Sequence, residues 1–394
     1  MSHRVAASLL VALLLLLGAA PTASAAPSQT GCQVDRPAPP VDDSEAPRPG
    51  AAAPAALPVP STPVGGAQMG TCGTVVPRGA PAPPEVGVQS YVVADLDTGA
   101  VLAARVPHAR LRPASLLKTL TGLLVARQLP LDQVLTGTQD DANQEGTRVG
   151  MGPGGQYTVR QLLDAMLMAS GNDTAHALAV RLTGSVPATV DLMNRTAAEI
   201  GAHDTRAATP SGLDGPGQSS SAYDLASIFR LGMREAPFAQ AVGTRQIQFP
   251  GFAGKPPIVV DNDNKIFRYP GALGGKTGFT DDARHTYIGA QDRGGRRLVV
   301  VLMHGEQHPV PMVEQGLALL DYGYALPRDA SVGRLTEQAP DAGSAVETTA
   351  SPVSASDAPD SPATGDTGWG AWLAIGLVVV LGLVVLGARL RRRS

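Results

Sequence analysis

The chain has 394 residues, a formal charge of −3 and only 16% charged side chains. That length allows one sizeable core with extensions, and the near balance of charge excludes the basic footprint of a nucleic-acid-binding protein. Two cysteines cannot form a disulfide-dense scaffold.

Residues 1–25 read as a secretion signal: a short basic start at His3 and Arg4, an apolar run over 6–20, and the small-x-small site Ala23-Ser24-Ala25. The expected cleavage is before Ala26, which places the mature protein outside the cytoplasmic membrane. Residues 26–85 are dense in proline, alanine and glycine without periodicity, and read as a flexible arm. This arm carries both cysteines, Cys32 and Cys72, which an oxidising compartment would pair.

A folded domain is expected over 86–327. Residues 89–95 and 100–104 read as strands joined through Asp97-Thr98-Gly99. Arg112-Pro113-Ala114-Ser115-Leu116-Leu117-Lys118 follows, with Leu116, Leu120, Leu123 and Leu124 at helical spacing, so Ser115 should sit near a helix N-terminus. Lys118 then lies one turn on and on the same face, a hydroxyl beside an amine that can act as its base once burial or a second cation keeps it neutral. Taken alone, Ser-x-x-Lys is common and reads as a helix start with a solvated lysine.

A polar, glycine-rich excursion over 137–156 leads to a helix capped by Thr158 with the stripe Leu162, Leu163, Met166 and Leu167. Ser170-Gly171-Asn172 breaks that helix in a tight turn able to present both polar side chains to one cleft, and helical patterning resumes at Asp173. His176 on that next helix reads as a packing or surface residue. Residues 187–200 and 222–234 read as further helices, the second capped by Ser221. The glycine-rich run 271–275 enters Lys276-Thr277-Gly278-Phe279, after which 287–290 and 297–303 read as strands and 310–325 as a closing helix. The order of elements gives an α+β fold, an antiparallel sheet covered by helices from both ends of the sequence. His304 and His308 have a helical metal-ligand spacing, but they follow a strand beside Pro309 and Pro311 and lack a third ligand; no metal and no cofactor is expected.

Beyond Pro327, residues 328–368 read as a second disordered linker. Residues 369–390 are apolar for long enough to cross a bilayer, with Trp369 and Trp372 at one end and Arg389, Arg391, Arg392 and Arg393 after or at the other. Those arginines place a cytoplasmic tail at 391–394 and the domain outside. Ser361-Pro362-Ala363-Thr364-Gly365 ahead of the run also resembles a wall-sorting signal, with serine where the leading leucine is expected, so a retained anchor is the preferred reading.

The three motifs around Ser115, Ser170 and Lys276, in this order, form the set of penicillin-binding proteins and active-site-serine β-lactamases. The chain resembles the D-alanyl-D-alanine carboxypeptidases, DacA-like low-molecular-mass penicillin-binding proteins of peptidase family S11. Thr209-Pro210-Ser211-Gly212-Leu213-Asp214-Gly215 ahead of the helix at Ala222 supports the peptidase branch, and Gly171 departs from the Ser-Asp-Asn usual in β-lactamases. The resemblance implies a β-lactamase/transpeptidase-like fold with an all-helical subdomain. It also implies Ser115 as nucleophile, Lys118 as base, Ser170 as proton relay and Asn172 as the group fixing Lys118 and a substrate amide. Lys276 and Thr277 would bind the terminal carboxylate, and the backbone of Ser115 and Phe279 would form the oxyanion hole beside Gly278. Implied partners are peptidoglycan stem peptides ending in D-Ala-D-Ala and β-lactams, with the membrane held through the C-terminal helix. Two departures stand out: Phe279 replaces a histidine, and no arginine follows the last strand, for which Arg284 is the nearest substitute.

Overall fold

The computed structural model describes residues 35–336. Its strands are β1 Thr74–Val75, β2 Val88–Asp95, β3 Ala100–Arg105, β4 Val134–Thr136, β5 Gln156–Thr158, β6 Gln246–Phe249, β7 Ile258–Asp261, β8 Ala272–Thr280, β9 Arg284–Arg293, β10 Arg296–Gly305 and β11 Gly333–Arg334. Its helices are α1 Lys118–Gln128, α2 Gln139–Ala142, α3 Val159–Met168, α4 Asn172–Thr183, α5 Val186–Glu199, α6 Ala222–Gly232, α7 Ala236–Gly243 and α8 Met312–Ala325. A 3₁₀ turn, Ala114–Leu117, leads directly into α1.

Seven strands form one antiparallel sheet in the order β1-β3-β2-β10-β9-β8, with β11 pairing β3. Side chains alternate between faces along a strand, and both faces here are covered. Val92, Ala94, Val299 and Val301 point into a core with Leu162, Met166 and Phe229 from α3 and α6. Tyr91, Val93, Leu298, Val300 and Leu302 point the other way, onto Leu319 and Leu320 of α8. Burial on both faces explains why residues 298–303 of β10 are an unbroken apolar run. A third cluster joins Leu120, Leu123 and Leu124 of α1 to Met193 and Ala197 of α5. The expected α+β architecture, a sheet with helices from both ends of the sequence, is the one found.

Several expectations change. The 137–156 excursion contains α2 and ends at β5, and the small hairpins β4-β5 and β6-β7 lie apart from the main sheet. Residues 35–85, expected to be a flexible arm, instead pack on the domain. The Arg110 guanidinium donates to the carbonyls of Leu57 and Pro58, each at 2.7 Å, the Tyr322 hydroxyl donates to Pro81 O at 2.8 Å, and β1 pairs with β3. Proline-rich chain loses little backbone entropy on being fixed, and its carbonyls have no helical or sheet partners, so buried arginines can use them as acceptors. The expected domain end at 327 also moves, because β11 joins the sheet and Val332 and Leu335 are buried in the core.

Cys72 is disulfide-bonded. The sequence holds one other cysteine, Cys32, which lies outside the described residues, as do the expected secretion signal, linker remainder and apolar run at 369–390. Among the described residues no helix is long and apolar enough to cross a membrane.

Candidate active site

Ser115 and Lys118 come together through a feature finer than a uniform helix. Ser115 sits in the 3₁₀ turn and α1 begins at Lys118. Three residues per turn eclipse i and i+3, so the two side chains lie one above the other. Lys118 Nζ is 2.9 Å from Ser115 Oγ. Ala114 begins the turn at φ +47°, a left-handed conformation that sharpens the entry to the nucleophile.

Lys118 is fully buried, and its amine also faces Asn172 Oδ1 at 2.6 Å and the Ser211 carbonyl at 2.7 Å. Asn172 is oriented by its own amide, which donates to Glu145 O at 2.6 Å. A neutral amine has two N–H bonds and one lone pair. The two fixed acceptors take the N–H bonds, which leaves the lone pair for the Ser115 hydroxyl. Burial first, and then the nearby cation of Lys276, hold the Lys118 pKa well below the ordinary lysine value, against the opposing pull of Asp173. The arrangement is that of a nucleophile with an activated base.

Ser170 has φ +63° in the turn between α3 and α4, and lines the same cleft as Ser115. Lys276, Thr277, Gly278 and Phe279 lie on β8, the edge strand beside the nucleophile turn. Lys276 is buried and donates to Thr277 O at 2.7 Å; burial lowers its pKa to about 8, with Asp263 pulling the other way. Gly278 permits the close approach of the strand, since a Cβ there would stand 2.9 Å from Ser115 N. Thr286 of β9 donates its hydroxyl to Pro113 O at 3.0 Å, fixing the turn to the sheet. The cleft has a volume of about 450 Å³, with Thr147, Thr277, Phe279 and His285 among its walls.

The structure thus gathers all eight residues singled out in the sequence around one cleft or directly beneath it. Two others were not visible there. Asp173 is fully buried and accepts from the N–H groups of Val149, Gly150 and Met151, so it fixes the loop that carries Thr147. Its position in the first turn of α4, next to Asn172, was the available signal. Ser211 acts through a backbone carbonyl, which any residue type supplies, so no side-chain pattern could identify it.

Arg284 does not take the place of the missing arginine in the cleft. It forms a bidentate pair with Glu306 at 2.9 and 3.0 Å and does not line the cavity. His176 pairs with Asp141 at 2.6 Å, away from the nucleophile. His304 lies in β10, one residue before its end, and His308 in the bend that follows, so the two share no helix.

A family model described as "D-alanyl-D-alanine carboxypeptidase", Peptidase S11, matches residues 78–307. The chain belongs to this family. It is 44% identical over 265 residues to the D-alanyl-D-alanine carboxypeptidase DacB2 of Mycobacterium tuberculosis, spanning 66% of this chain and 90% of that protein. With DacF of Bacillus subtilis it shares 31% over 243 residues, 60% of this chain and 62% of that one. A crystal structure of a D-alanyl-D-alanine carboxypeptidase from M. tuberculosis H37Rv superposes with a TM-score of 0.63 at 42% identity, covering 66% of this chain and all of that one. Family membership carries the serine acyl-enzyme chemistry of these cell-wall peptidases, and the Ser115–Lys118 contact lies within the matched residues.

Proposed function

We propose that this chain removes the terminal D-alanine from peptidoglycan stem peptides ending in D-Ala-D-Ala, through an acyl-enzyme on Ser115. The observation that carries the reading is the buried Lys118 amine, whose N–H bonds are taken by Asn172 and Ser211 and whose lone pair faces Ser115. Ser115 Oγ attacks the carbonyl of the penultimate D-alanine and its proton passes to Lys118 Nζ. The N–H groups of Ser115 and Phe279 hold the developing oxyanion, a contribution of about 3 kcal/mol per donor. Ser170 relays the proton to the departing amine as the tetrahedral centre collapses and D-alanine leaves. Water then attacks the ester carbonyl and gives its proton to Lys118 Nζ; the bond from the acyl carbon to Ser115 Oγ breaks, Lys118 returns the proton to Oγ, and the shortened stem peptide leaves as its carboxylate.

Lys276 as a cation and the Thr277 hydroxyl hold the terminal carboxylate, and Asn172 holds a substrate amide while fixing Lys118. Phe279, half exposed at the cleft mouth and 4.6 Å from the His285 ring, gives that wall an aromatic lining. β-Lactams, as mimics of the dipeptide, acylate the same serine. The apolar run at 369–390 and the arginines after it support anchorage on the outer face of the cytoplasmic membrane.

The direct test is D-alanine release from a pentapeptide ending in D-Ala-D-Ala. Release by the wild type that disappears in Ser115→Ala is expected. Equal release by both, or none by either, contradicts the reading.

A further inference from the structure

The segment ahead of the family-matched region contacts the chain on both sides of the cleft, just before Ser115 and just after Phe279. Residues 35–77 precede the part of the chain that the family model matches. Within them, Glu45 Oε1 accepts from Arg112 Nε; the arginine side chain is 3% exposed and the glutamate 14%. On the same segment the Val41 N–H donates to Asp282 Oδ1 at 2.5 Å, and Asp282 Oδ2 stands 3.9 Å from Arg112 Nε. Asp282 is itself buried.

The positions of these partners along the chain give the contact its meaning. Arg112 lies three residues before Ser115, and Asp282 three residues after Phe279. The clamp therefore ties the entrance of the nucleophile turn to the exit of β8, the two backbones assigned here to the oxyanion hole. A buried guanidinium held by one carboxylate at 3.9 Å is under-compensated, and Glu45 supplies the contact at hydrogen-bond range. Asp214, in the loop whose Ser211 carbonyl faces Lys118, adds the field of a third carboxylate to this group.

We propose that Glu45 is a positioning residue for catalysis: by clamping Arg112 against Asp282 it sets the spacing between the Ser115 and Phe279 N–H groups. This rests on the acyl-enzyme reading above. An oxyanion exists only in the transition state and the tetrahedral intermediate, so an altered spacing lowers kcat and leaves ground-state binding in place. A strap that merely holds the fold together would change the melting temperature without this split.

The test uses the full chain with Glu45→Gln and Glu45→Asp, following D-alanine release and thermal melting. Glu45→Gln is expected to lower kcat by about tenfold with KM within about twofold, and Glu45→Asp to recover part of the loss. An unchanged kcat in Glu45→Gln, or a change in KM alone, overturns the proposal, as does a lowered melting temperature with kcat intact. Should Glu45→Gln fail to fold, Asp282→Asn carries the same expectation and the same refutation. Failure of the acyl-enzyme reading shows differently, as absence of D-alanine release and of penicillin labelling in the wild type itself.

Discussion

In the proposed mechanism the protons on two buried lysines set the pH range in which Ser115 works. Acylation needs Lys118 neutral, so its rate rises with pH through the lowered Lys118 pKa. It also needs Lys276 as a cation, so it declines as pH passes about 8. Lys276→Gln removes a positive neighbour, raises the Lys118 pKa and moves the acid limb to higher pH while removing the alkaline limb. Penicillin acylation rates measured across pH check this, and an acid limb that stays put in the variant contradicts it. Lys118→Ala should slow acylation by about a thousandfold at its optimum. The side chains gathered at this cleft were legible in the sequence because Ser115, Lys118, Ser170, Asn172 and Lys276 carry functional groups that few residue types offer. The Ser211 carbonyl was not, and neither was the role of Asp173.

At the scale of elements, close approach of backbone to backbone holds the nucleophile turn. Gly212 has φ +84°, and a Cβ there would stand 1.9 Å from Ala114 O. No flexible side chain can move aside to accept that contact. Gly212→Ala should therefore displace the Ser115 turn and slow penicillin acylation by about a hundredfold; a rate within twofold of wild type would show that the loop does not set the turn. The helix before Ser170 is held more conventionally, by a capping box in which Thr158 accepts from Gln161 N and Gln161 reaches back to Thr158 N. Thr158→Ala should cost about 1 kcal/mol in denaturant unfolding. The residue types gave this cap away, but the spacing of Leu116, Leu120, Leu123 and Leu124 placed Ser115 near the N-terminus of a single helix. The 3₁₀ segment carries no side-chain signature of its own, since Pro113 and the leucine spacing suit either geometry.

Across the whole molecule, the ordered segment before β2 was the largest feature hidden from the sequence. Its composition resembles that of a disordered linker, while its partners Arg110 and Arg112 stand 52 to 75 residues further along the chain. One such junction is a titrating cluster. His108 bonds Val64 O through one ring nitrogen and Asp204 through the other, and Asp204 N donates to buried Asp224. Burial, with Asp204 adding to it, raises the Asp224 pKa to about 8, and Asp204 raises that of His108. Both groups keep protons in the folded chain that the unfolded chain has released, so their contribution to stability is greatest at low pH; the Asp224 share is lost as pH climbs from the ordinary carboxylate range through about 8, and the His108 share as pH climbs above the ordinary imidazole range. The fall should approach about 1.4 kcal/mol per pH unit for each such proton, and Asp224→Asn should reduce it. Melting curves taken in roughly one-unit steps from about pH 5 to about pH 8 measure that slope, and parallel slopes in the two proteins would contradict the assignment.

The measurement that bears most directly on the account is the site and stoichiometry of penicillin acylation, read by intact mass and peptide mapping of the wild type, Ser115→Ala and Lys118→Ala. The account predicts one adduct per chain on Ser115 in the wild type, none in Ser115→Ala, and slow formation on the same serine in Lys118→Ala. An adduct on any other residue, or one that forms at the wild-type rate without Lys118, would contradict it.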